Sequence, residues 1–150
     1  MKSEAIFTPM LVLIFWTFAV VTILAFKRFG GVFAGRTKAG HFKVGESAKV
    51  PDDIRVVSRN LANLFEMPVL FYAVCISSYV IQHVSSALVV LAWCYVGLRI
   101  VHTLVHLTYN QLLHRFSIYL ASCVLLLIMW VTFAVNLQHV TTVSKLWPFH

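Results

Sequence analysis

Residues 6–26 read IFTPMLVLIFWTFAVVTILAF, a stretch without a single charged side chain. A bilayer core of about 30 Å needs about 20 apolar residues in one helical span, so this stretch predicts a transmembrane helix. Three more apolar stretches follow, at about residues 54–81, 87–109 and 115–137. The sequence therefore predicts an all-α membrane protein, with residues 1–150 forming one domain, a bundle of four transmembrane helices.

The composition of the chain supports a membrane environment. Of its 150 residues, 60% are hydrophobic and only 11% are charged, whereas soluble domains have about 25% charged and about 45–50% apolar residues. Four spans use most of the chain, which leaves no room for a solvated basic face that could bind nucleic acid. The net charge of +7 is better explained by membrane topology than by a nucleic-acid partner.

Basic residues concentrate in the first connection, residues 27–49, which contains six Lys and Arg side chains and several glycines. This composition predicts a flexible basic loop that touches anionic membrane lipid. The turn between spans 2 and 3 has no Lys or Arg, and the third connection ends at Arg115. The positive-inside rule then places both termini away from the cytoplasm, in a bacterial inner membrane or the endoplasmic reticulum.

Polar residues within the second span form a first cluster: Arg59, Asn63 and Glu66. Their spacing of i, i+4 and i+7 puts them on one helix face. An arginine side chain donates hydrogen bonds to a carboxylate, and a glutamate side chain accepts them from an ammonium group. An asparagine side chain can both donate and accept. The face therefore suits a ligand that carries both a carboxylate and an amine. The alternative is an internal Arg59–Glu66 salt bridge that joins helices.

A second cluster lies on the third span: Arg99, His102, His106 and Tyr109, again spaced to share one face. This face points toward the third connection, on the same side of the membrane as the first cluster. It is interpreted either as an interhelical hydrogen-bonding face or as a metal site at His102 and His106. No carboxylate accompanies them on that helix, so no metal site is predicted. A haem-binding redox bundle using His102, His106 or His83 is a further hypothesis.

Arg115 opens the fourth span. One interpretation is an anchor that reaches the membrane surface and fixes topology. The other is a cation that stabilises an anion, since a thiol becomes a thiolate more readily beside arginine. The sequence pattern leaves both open.

Two stretches resemble signatures of the MAPEG superfamily, the membrane-associated proteins in eicosanoid and glutathione metabolism. Residues 55–68, RVVSRNLANLFEMP, are similar to its second-helix pattern Arg-x-x-x-Asn-x-x-Glu, and residues 97–105, GLRIVHTLV, to its third-helix pattern Arg-x-x-His-Thr. The spacing from Arg99 to Arg115 is like that of the microsomal prostaglandin E synthase branch. The resemblance covers nearly the whole chain.

This resemblance implies a left-handed four-helix bundle that assembles as a homotrimer, with glutathione bound between subunits near the cytoplasmic side. It implies that Arg115 stabilises the glutathione thiolate. A lipophilic small molecule would be the second substrate. The residues implied in binding glutathione or shaping its pocket are Arg59, Asn63, Glu66, Arg99, His102 and His106, with Lys27 or Arg28 supplying charge from the first span.

Three positions depart from the family pattern. His106 and Met67 stand where some members have tyrosine, and Phe116 follows Arg115 where prostaglandin synthases have serine. These departures argue against the eicosanoid activities. The expected function is a glutathione transferase or peroxidase acting on small lipophilic electrophiles. The alternative is a non-enzymatic MAPEG-like membrane component that binds lipid or a partner protein.

Overall fold

The computed structural model describes residues 3–43 and 47–146, with side chains as far as residue 138. Four helices in this part of the chain are each long and apolar enough to cross a membrane, as the sequence predicts. The first follows a short 3₁₀ turn at Ser3–Ile6. The helices are α1 (Phe7–Phe33), α2 (Asp52–Val80), α3 (Ser86–Leu107) and α4 (Leu112–Leu146).

Helix α1 continues past the apolar stretch that predicts it. The prediction of a flexible loop from residue 27 is therefore wrong in its first part, because Lys27 and Arg28 lie on the helix. Both side chains contact α2: Lys27 Nζ lies 3.2 Å from Asp53 Oδ2, and Arg28 Nη2 donates to Ser58 Oγ over 3.3 Å. These partners stabilise the last turns of α1. A 3₁₀ turn at Ala39–Phe42 follows, and residues 44–46 lie outside the described chain.

Helix α2 begins directly after Pro51, with Asp52 and Asp53 in its first turn. Acidic side chains there complement the partial positive charge of a helix N-terminus. Pro68 lies buried inside the helix, at a position that a membrane helix tolerates when its neighbours satisfy the freed carbonyl.

The core forms between all four helices. Helix α1 packs on α2 and α3, and α4 packs on α3 and α2. Phe71 of α2 and Tyr95 of α3 are fully buried, and their rings stack with centroids 4.6 Å apart. Other core side chains are Leu13, Val20, Val74, Leu88, Ala92 and Met129.

Two short turns reverse the chain at opposite ends of the bundle. Gln82, between α2 and α3, has φ 53°, and Asn110, between α3 and α4, has φ 47°. Both are non-glycine residues in the left-handed region, which asparagine tolerates better than most side chains. The α3–α4 turn lies at the same end as the α1–α2 connection, since Lys27 and Asn110 line one cavity. We call this the basic end.

Candidate functional site

A small hollow opens at the basic end, between α2, α3 and the start of α4. Its volume is about 150 Å³. Its wall is mostly polar or aromatic and includes three of the residues that the sequence predicts for the site, one from each of α2, α3 and α4. The lining residues are Asn63, His102, Leu112, Arg115, Phe116 and Tyr119.

Arg115 lies half-buried in the first turn of α4. Its Nη1 donates to Asn110 Oδ1 over 2.8 Å and lies 3.5 Å from His106 Nε2. Within the part of the chain whose side chains are described, no hydrogen bond involves Arg115 Nε or Nη2. One edge of the guanidinium is therefore held by the protein, and the other remains available to a ligand.

Arg99 lies behind the wall of the hollow and is fully buried. Its Nη2 donates to the main-chain carbonyl of Asn63, and its guanidinium carbon lies 5.6 Å from the centre of the Tyr119 ring. Nε and Nη1 of Arg99 have no hydrogen-bond partner among residues 3–43 and 47–138. Helix α3 thus brings a buried positive charge, partly unsatisfied, next to the hollow.

The two histidines of α3 are also buried. The ring of His102 lies 5.8 Å from that of Tyr119 and 5.8 Å from that of His106, centroid to centroid. Arg99, His102 and His106 therefore share one inward face, as their spacing predicts. Tyr109 does not join them, because α3 ends at Leu107.

Tyr109 corrects the predicted second cluster. It lies beyond α3, is 59% exposed, and its hydroxyl is 3.3 Å from His114 Nδ1. A helical spacing predicts a shared face only while the helix continues, and here the chain turns first.

The three residues of the first cluster, Arg59, Asn63 and Glu66, do not all lie in the hollow of the single chain. Asn63 lines the hollow, whereas Arg59 and Glu66 are exposed. No ion pair between Arg59 and Glu66 is present in the described part of the chain.

A larger cavity of about 460 Å³ also lies at the basic end. Lys27, Asp52, Asp53, His106 and Asn110 contribute polar groups to its wall. Asp53 is paired twice, with Lys27 at 3.2 Å and with Arg36 at 2.6 Å. The charge of Lys27 is thus directed to α2 within the same chain.

Sequence reasoning missed Tyr119 and Asn110. Tyr119 stands four residues after Arg115, so helical spacing alone places both on one face of α4. Asn110 carried no signal of this kind, because its role depends on a left-handed turn between two helices.

Comparison with known families decides the identity of the fold. A model of the MAPEG family matches residues 6–135, most of the chain. The chain belongs to the MAPEG family. Comparison with curated proteins and with solved structures gives no match.

Membership of the MAPEG family, together with four membrane-capable helices, makes this a multi-pass integral membrane protein. MAPEG proteins include glutathione transferases and peroxidases, and also non-enzymatic members. The hollow beside Arg115 is the candidate site for one of these functions.

Proposed function

We propose that this MAPEG protein is a glutathione transferase or peroxidase that acts on small lipophilic electrophiles. The observation that carries the proposal is the position of Arg115, whose Nη1 is bonded to Asn110 while its other edge has no protein partner. A guanidinium that is bonded to the protein along one edge, and that lines a hollow with its other edge unpaired, is suited to stabilise a bound anion.

The start of α4 strengthens this anion site. Arg115 and Leu112 both line the hollow, and Leu112 is the first residue of α4. The first N–H groups of a helix lack partners within the helix and carry a partial positive charge. A thiol has a pKa of about 8.5, and both a helix N-terminus and a neighbouring arginine lower it. The glutathione sulfur is therefore proposed to bind beside Arg115.

The buried Arg99 supports binding of the peptide part of glutathione. A buried cation with two unsatisfied nitrogens is costly, and a carboxylate nearby would offset that cost. The side chain of Asn63, on the hollow wall, can both donate to and accept from a peptide group. His102 completes this wall from α3.

The size of the hollow supports a site shared between subunits. Its volume of about 150 Å³ is below the range of about 300–1,000 Å³ that ligand pockets occupy. Arg59 and Glu66 are exposed on the single chain, where a second copy could cover them. We propose that a homotrimer closes the site there, with Arg59 and Glu66 binding the carboxylate and amine of glutathione.

The chemistry then follows from the thiolate. In transfer to an aryl halide, the sulfur forms a bond to the ring carbon, the halide leaves with the bonding electrons, and the thiol proton goes to water. In the peroxidase reaction, the sulfur attacks the distal oxygen of a hydroperoxide and becomes a sulfenic acid, while the alkoxide leaves and takes up a proton. A second glutathione then attacks the sulfenic sulfur, which forms glutathione disulfide and releases the oxygen as water. In both, Arg115 stabilises the charge on sulfur.

The test compares two arginine variants in conjugation of glutathione to an aryl halide. Arg115→Ala should lower kcat/KM by about a hundredfold, the effect typical of removing one charge-stabilising donor. Arg55→Ala is the matched control, because Arg55 pairs with Asp52 at 3.0 Å at the same basic end and touches neither cavity. Equal rates in the wild type and Arg115→Ala would remove Arg115 from the mechanism.

The alternative function is that of a non-enzymatic membrane component that binds lipid or a partner protein. It is supported by the exposure of Arg59 and Glu66 on the single chain, where a partner other than a second copy could cover them. Titration calorimetry with glutathione distinguishes the two functions. Absence of heat with the purified wild type, together with loss of stability in Glu66→Gln, would favour the non-enzymatic function.

A further inference from the structure

We propose that Asn110 is a positioning residue for Arg115, and that the α3–α4 turn places its side-chain oxygen against the guanidinium. The inference deepens the proposed function, since it concerns how the guanidinium is presented to the thiolate. Asn110 belongs to neither sequence cluster and does not line the small hollow.

The hydrogen bonds of Arg115 carry the argument. Both contacts involve the same nitrogen, Nη1, which has two hydrogens. One is donated to Asn110 Oδ1 at 2.8 Å, and the other faces His106 Nε2 at 3.5 Å. The Asn110 contact is the stronger, because hydrogen bonds weaken steeply with distance. Together the two contacts engage Nη1 and orient the guanidinium.

This arrangement determines which edge of Arg115 meets a ligand. With Nη1 occupied, the Nη2 and Nε edge has no partner in the described part of the chain and remains for an anion in the hollow. A free arginine side chain samples many rotamers, and ordering it opposes binding. Holding Nη1 in advance removes much of that entropic cost, so the thiolate meets an ordered cation.

The backbone of Asn110 supports a positioning role. Its φ of 47° lies in the left-handed region, which asparagine tolerates better than most residues with a Cβ, so the chain can reverse there and still carry a polar side chain. The Asn110 amide N–H is bonded to the Val105 carbonyl at 2.9 Å, which closes α3. The same turn thereby ends α3, starts α4 and presents the side-chain oxygen to Arg115.

Asn110 and His106 both also line the larger cavity. Arg115, which lines the small hollow, therefore contacts two residues that line the larger cavity. An acceptor at residue 110 faces water-accessible space, so replacing it leaves room for solvent and does not create a closed void.

The test uses Asn110→Gly, which keeps the left-handed turn without strain and removes only the side-chain acceptor. Gln82→Gly is the matched control: Gln82 has φ 53° in the turn at the opposite end and is exposed. Two readouts are needed. The first is the rate at which phenylglyoxal modifies Arg115, followed by peptide mass spectrometry. The second is thiolate formation by bound glutathione, followed by ultraviolet absorbance across pH.

Asn110→Gly should speed modification of Arg115 severalfold and lower kcat about tenfold, with little change in the KM for glutathione, because one hydrogen bond to a charged group is lost. The half-point of thiolate formation should move to higher pH. Gln82→Gly should match the wild type in all of these measurements. Asn110→Asp should slow the modification, since a carboxylate holds the guanidinium more strongly, and should still lower thiolate formation by partly neutralising its charge.

The outcomes separate this proposal from the proposed function. Equal phenylglyoxal rates in Asn110→Gly and Gln82→Gly would overturn the positioning role of Asn110, whatever the activity. No thiolate signal and no turnover in the wild type would overturn the glutathione function, while the phenylglyoxal comparison would still decide whether Asn110 holds Arg115.

Discussion

Replacing Gly31 by alanine tests how closely α1 approaches α2 at the basic end. A Cβ at Gly31 would lie 2.9 Å from Ile54 Cδ1 and 3.5 Å from Thr37 Cγ2. Ile54 is fully buried, so its methyl group can move only against packed neighbours. Overpacking of this kind costs about 1–3 kcal/mol, whereas alanine gains about 1 kcal/mol over glycine within a helix. We expect Gly31→Ala to lower the free energy of unfolding by up to about 2 kcal/mol.

Gly30 provides the control within the same helix turn. No atom lies within 4 Å of a Cβ built there, so Gly30→Ala keeps the gain in helix propensity without the clash. The difference between the two variants isolates the overpacking term, about 1–3 kcal/mol. Unfolding in mixed micelles with a denaturing detergent measures it.

A third variant locates the clash. Adding Ile54→Val to Gly31→Ala removes Cδ1, the atom in closest contact, and should recover most of the loss after allowance for the cost of Ile54→Val alone, about 0.5–1.5 kcal/mol. Equal stability of Gly31→Ala and Gly30→Ala would refute the close approach of α1 to α2 at this point.

Three further predictions concern the core and the charges. Phe71→Ala should cost about 3–5 kcal/mol of unfolding free energy because Phe71 is fully buried, whereas Phe33→Ala, at an 87% exposed position, should cost far less in the same unfolding measurement. Asp53→Asn breaks two ion pairs that are 40% exposed on the aspartate side, and should cost at most about 1 kcal/mol in low salt and almost nothing in high salt. Arg99→Met should keep the stability within about 1 kcal/mol, because a buried charge with unsatisfied nitrogens is replaced by an apolar side chain, while calorimetry should show glutathione affinity falling about tenfold; unchanged affinity would separate Arg99 from ligand binding.

The four spans were predictable because a bilayer imposes a length and an apolar composition that few other folds share. The ends of the helices were harder to predict from the sequence. Hydropathy detects the membrane boundary, and the α-helix is free to continue beyond it where polar partners exist. Lys27 and Arg28 continue α1 because Asp53 and Ser58 lie opposite them on α2, which only the packed structure reveals.

The candidate site was predictable to a similar extent. The spacing of Arg59, Asn63 and Glu66 showed that they share a face of α2. Spacing alone does not show which of these side chains pack against other helices and which remain exposed. In the single chain Asn63 lines the hollow, whereas Arg59 and Glu66 are exposed. The role of Asn110 was not predicted for a different reason. Its contact with Arg115 crosses a turn between two helices, and such a contact leaves no periodic pattern in the sequence.

Helix α4 is longer than any bilayer requires. Its 35 residues extend about 52 Å at about 1.5 Å per residue, against a hydrocarbon core of about 30 Å. The helix begins beside Arg115, so its surplus length projects on the face of the membrane opposite the hollow. A bulky reporter or a surface attachment joined to those final turns would lie far from the hollow. Protease digestion of that reporter from either side of sealed vesicles would then show which compartment the hollow faces.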